Sequence, residues 1–68
     1  DNENKDAILN YLPKIMLQHK ISIIDEMLES IQTALNENSN DEELERLMTR
    51  QMELKRIQQQ ILNAIKKM

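Results

Sequence analysis

The sequence predicts an all-α fold: two long helices folded back on each other as an antiparallel hairpin. Three observations predict it. The 68 residues include no Gly, Cys, Trp or Phe, with one Tyr and one Pro, so the chain lacks the aromatic residues and tight-turn formers that strands and their connections draw on. Leu, Ile, Met, Glu, Gln and Lys dominate instead, and these lose little rotamer freedom in a helix. Apolar residues then recur at helical spacing over two long stretches, separated by a single polar segment.

Taken in order, residues 1–6 are polar and read as a frayed end or linker. An apolar pattern starts at Ala7 with Ile8, Leu9, Tyr11 and Leu12, a short helical segment. Pro13 removes a backbone donor and disfavours helical geometry at Leu12, which predicts a break, kink or fresh helix start there. If Asn10 caps the new helix, Pro13 falls in its first turn, where a missing N–H does little harm. Residues 1–12 thus form a linker and short segment, and the hairpin occupies 13–68.

The first long helix is expected over about 13–36. Leu17, Ile21, Ile24, Leu28, Ile31 and Leu35 alternate spacings of four and three, a heptad seam. A second stripe of Met16, Ile23, Met27 and Ala34 runs beside it and widens the apolar face beyond what a two-stranded coiled coil needs. Residues 36–41 hold no apolar side chain and form the loop. Ser39 followed three residues on by Glu42 reads as a capping box, with Asp41, Glu42 and Glu43 at the positive end of the helix dipole. So short a loop joins antiparallel neighbours.

The second helix is expected over about 40–67. Leu44, Leu47, Leu54, Ile61, Ile65 and Met68 make its seam, with Met48, Ile57 and Leu62 beside it and Lys66 and Lys67 in the last turn. Both helices then measure roughly 36–42 Å and match in length. Gln51 and Gln58 fall on the seam line and admit two readings. They mark register by bonding across the interface, or a slight rotation lets Met48 and Ile57 replace them and turns the amides to water. The second is preferred, because an unpaired buried amide costs roughly 1–3 kcal/mol.

Composition also excludes function classes. Without Cys there is no disulfide framework and no thiolate metal site, which fits a cytoplasmic protein. No apolar run approaches the roughly 20 residues of a membrane span, and no signal-peptide core is present. A net charge of −3 opposes direct nucleic-acid binding, which needs a basic face. The chain opens Asp1-Asn2-Glu3-Asn4 without an initiator Met and is read as a segment of a longer protein.

Candidate chemistry is sparse. His19 is the sole histidine, flanked at helical spacing by Ile15, Met16, Ser22 and Ile23, so it is read as a rim or solvent residue. Asp25, Glu26 and Glu29 cluster, yet the Glu-x-x-His spacing of helical carboxylate metal sites is missing; they are read as a solvated face. A phosphate-cradling loop cannot form without Gly. No catalytic residue, metal or cofactor is expected. The five methionines serve either as core filler, the preferred reading, or as an adaptable binding surface.

The run Ile24-Asp25-Glu26-Met27-Leu28-Glu29, a polar loop, and then Asp41-Glu42-Glu43-Leu44-Glu45-Arg46-Leu47-Met48-Thr49-Arg50-Gln51-Met52-Glu53-Leu54-Lys55 resembles the C-terminal end of bacterial replicative DNA primases over about residues 7–68. The resembling pattern, an acidic helix start followed by leucines at helical spacing, is shared by many hairpins. The resemblance implies a terminal helical hairpin that lacks the polymerising site and docks on the N-terminal domain of the replicative helicase. It carries over no individual residue.

The expected function is therefore a non-catalytic protein–protein interaction module. The residues expected to meet the partner, from the helical pattern alone, are Met48, Met52, Ile57 and Leu62. The alternative is structural: the isolated hairpin forms a homodimer, a four-helix bundle that buries the same wide stripe. In either case one core in so short a chain rarely supplies more than roughly 3–5 kcal/mol, so another surface is expected to cover the remaining apolar flank.

Overall fold

The computed structural model describes the backbone of residues 2–68 and the side chains of residues 12–68. It contains two helices, α1 (Asn2–Glu37) and α2 (Asp41–Lys66), packed against each other as an antiparallel hairpin. The heptad seam is the contact. Ile24 and Leu54 are the buried apolar residues among those described. Leu17, Ile21, Leu28, Ile31 and Leu35 of α1 and Leu44, Leu47, Ile61 and Ile65 of α2 are half-buried around them. Met68, expected to end the seam, lies past the last helical residue and is exposed.

Pro13 does not break the first helix. It sits inside a continuous α1, so residues 2–12 are helical but are not set apart from the rest. The missing N–H costs the carbonyl of residue 9 its intrahelical partner. Pro13 is exposed, and water can take that place. A proline is costliest where solvent cannot reach the freed carbonyl.

The three-residue loop starts α2 one residue later than the expected box. Asn40, not Ser39, is the N-cap: it is extended (φ −82°, ψ 121°) and its side-chain oxygen accepts from the Glu43 backbone N–H at 3.0 Å. Asn38 Oδ1 accepts from the Asn40 N–H at 3.1 Å, a local turn that holds the cap in place. The cap-to-Glu spacing survives as Asn40–Glu43. At the far end α2 closes without a left-handed residue, because the chain has no Gly to adopt one. The N–H of Lys67 instead donates to the carbonyl of Asn63 at 3.2 Å.

Two side-chain hydrogen bonds cross the seam as rungs. Gln51 Nε2 donates to Gln32 Oε1 at 3.2 Å, and Gln58 Nε2 donates to Asp25 Oδ1 at 2.7 Å. Both glutamines are half-buried. This corrects the reading in which their amides face water: one heptad separates the rungs on each helix, so both glutamines meet a polar partner across the seam and no buried amide goes unpaired.

The helices do not match in length as expected: α1 has 36 residues and α2 26, so α1 runs about ten residues past the end of α2, roughly 15 Å at 1.5 Å per residue. The molecule is a rod of 59 × 16 × 12 Å. Its radius of gyration of 16.9 Å compares with about 11 Å for a compact chain of this length.

Candidate interaction surface

The two long edges where the helices meet differ in chemistry. One carries the rungs just described, Gln32, Asp25, Gln51 and Gln58. The other is apolar: Leu17, Lys20, Ile23 and Ile24 of α1 and Ile57 and Ile61 of α2 line an open groove of about 380 Å³. The asymmetry follows from the second stripe of α1. Met16, Ile23, Met27 and Ala34 fall on the side of the seam away from Asp25 and Gln32, and no third helix covers them.

Ile23 is 44 % exposed, Ile57 42 % and Met16 62 %. Toward the open end of α1, Leu12 and Ile15 are exposed as well. Scattered exposed apolar residues are ordinary, but a row that rims one groove marks a contact surface. The chain presents 5737 Å² to solvent in all, where a compact monomer of its mass presents about 4,500 Å²; the excess follows from its extended shape.

Of the four residues expected to meet a partner, the structure places only Ile57 at this groove. Met48 lies nine residues from Ile57, about 180° around α2, and Met52 about 140° around it. Both are exposed on the outer face. Leu62 is half-buried, on the edge that carries Gln51 and Gln58. The four do not form one patch. The α1 half of the groove, Ile23 above all, was visible in the second stripe but was not singled out as a binding element. The missing signal was the rotation of α2, which the pairing of Gln51 and Gln58 reveals.

Charge is distributed along the rod rather than around it. The half nearest the loop, residues 27–53, holds Glu29, Glu37, Asp41, Glu42, Glu43, Glu45 and Glu53 against Arg46 and Arg50, a net of −5. In the open half, residues 12–26 and 54–68 hold Lys14, Lys20, Lys55, Arg56, Lys66 and Lys67 against Asp25 and Glu26, a net of +4 with His19 neutral, and residues 1–11 add Asp1, Glu3 and Asp6 against Lys5, which brings the half to +2. Local pairs soften the loop half only slightly. Arg46 bonds Glu43, and that hydrogen bond, then the carboxylate's charge, holds its guanidinium above the ordinary arginine value. Arg50 meets Glu53 at 3.4 Å. Both pairs are exposed, and such pairs contribute little to stability.

Nothing in the geometry favours chemistry. Among the described residues no three metal-ligating side chains come together, His19 is exposed on α1, and Asp25 is engaged by Gln58. Among the described residues no helix is long and apolar enough to cross a membrane. The arrangement can bind a surface. Comparison with protein-family models, with curated proteins and with solved structures finds no match to this chain.

Proposed function

We propose that this hairpin is a protein–protein interaction module whose contact surface is the apolar edge lined by Ile23 and Ile57. The observation that carries the reading is the uncovered row Met16–Ile23–Ile57 on a rod in which Ile24 and Leu54 alone are buried among the described residues. A helical partner fits best, because the groove between two near-antiparallel helices accepts the ridge of a third. In this reading the chain contributes no catalytic group, and any catalysis belongs to a protein it is joined to or docks on.

The resemblance to the C-terminal hairpin of bacterial primases supplies the first partner to try, the N-terminal domain of a replicative helicase. Titration of the folded hairpin, followed by calorimetry, is expected to show binding that Ile57→Glu weakens at least tenfold and Met52→Glu leaves within twofold. No binding at concentrations on the order of tens of micromolar, near −6 to −7 kcal/mol, would remove the helicase from the proposal. Loss of binding with Met52→Glu and not with Ile57→Glu would move the contact to the outer face of α2.

A further inference from the structure

We infer that the occupant of the apolar edge is a second copy of this chain, laid antiparallel so that the loop end of each rod covers the open end of the other. The inference rests on the interaction-module reading and names its partner. Three independent features converge on it.

The first is charge. A net of −5 over residues 27–53 and of +2 over residues 1–26 and 54–68 makes the rod complementary to itself only when reversed. Two copies side by side in the same direction set like halves together, whereas reversed copies pair unlike halves. Neighbouring helix axes lie about 8–10 Å apart, close to the Debye length of about 8 Å at physiological salt, so the preference is felt across the interface.

The second is shape. A twofold axis crossing the groove near Ile23 and Ile57 brings the groove onto its own copy, as an isologous contact requires. The same operation lays the loop half of one copy beside Leu12 and Met16 of the other, both exposed on α1. A parallel pair leaves both overhangs at the same end, without α2 from either copy beside them. The small side chain of Ala34, on the stripe of the loop half, permits close approach there.

The third is the core: two helices bury Ile24 and Leu54 alone among the described residues, whereas four helices in antiparallel array form a full bundle core.

The test uses the full 68-residue chain. Sedimentation equilibrium at low salt is expected to give a dimer. Its dissociation constant should rise at least tenfold between 50 and 500 mM salt, and at least tenfold on Ile57→Glu. The paired substitution Lys66→Glu and Lys67→Glu, exposed and outside the seam, should weaken the dimer at least fivefold while the helical circular dichroism is retained. Orientation is read directly. The chain has no cysteine, so Asn38→Cys puts one spin label at each loop tip. Reversed copies separate the two labels by roughly 40 Å at 1.5 Å per residue, and parallel copies leave them under about 20 Å apart.

A short label distance overturns the antiparallel arrangement. A chain that stays monomeric at about 0.5 mM, while Ile57→Glu still abolishes binding to a heterologous helical protein, overturns the second copy and leaves the interaction module standing. A dimer indifferent to Ile57→Glu overturns both.

Discussion

At the scale of single residues, polar side chains do the specifying and apolar ones do the holding. Asn40 caps α2 through its bond to the Glu43 N–H, while Ser39 accepts no bond of that kind and is exposed. Asn40→Ala should therefore cost about 0.5–2 kcal/mol in urea unfolding, and Ser39→Ala should stay within about 0.5 kcal/mol. The reverse order would return the cap to Ser39. The rung from Gln58 to Asp25 is the shorter of the two, and its acceptor is ionised. A double-mutant cycle with Asp25→Ala and Gln58→Ala should show a coupling of about 0.5–1.5 kcal/mol at neutral pH, discounted toward the lower end because Asp25 is exposed. A coupling indistinguishable from zero would mean that the rung does not set register.

At the scale of the element, α1 and α2 differ in what sustains them. α2 is capped, carries Asp41, Glu42 and Glu43 in its first turn and Lys66 in its last, and packs along its whole length. α1 has no basic residue in its last turn and a proline inside, and its first turns have no α2 beside them. Helical segments of such length are marginal in water when isolated. Pro13→Ala restores a donor and removes a penalty near 3 kcal/mol. Where a helix end opens locally rather than with the whole fold, hydrogen exchange of the amides flanking position 13 should slow roughly 10- to 100-fold in this variant, with little movement of the global unfolding midpoint. A large rise in that midpoint would show that the overhang and the hairpin unfold together.

At the scale of the whole molecule, the balance is set by how little is buried. Only Ile24 and Leu54 fall inside among the described residues, at 7 % and 3 % exposure. Leu54→Ala should cost about 2–5 kcal/mol, comparable with everything one core of this size supplies. The variant is expected to lose its cooperative thermal transition when dilute. Self-association makes stability a function of concentration. If the reversed dimer forms, a hundredfold rise in chain concentration should raise the melting temperature by roughly 5–10 °C. A melting temperature independent of concentration at low salt would instead describe a self-sufficient monomer.

The sequence by itself determined the elements. Leu17 to Leu35 and Leu44 to Ile65 repeat at helical spacing, and a polar stretch without apolar residues had to be the turn, because local propensity and side-chain period act along the chain and are written into it. Tertiary structure alone decided the relations between the elements. Gln51 and Gln58 bond across the seam instead of facing water, α1 runs through Pro13 and beyond α2, and Ile57 parts company with Met48 and Met52. Each depends on how far one helix is rotated and slid against the other. That rotation and slide are set by pairings between residues distant in the chain, such as Asp25 with Gln58, which no pattern within a single helix encodes.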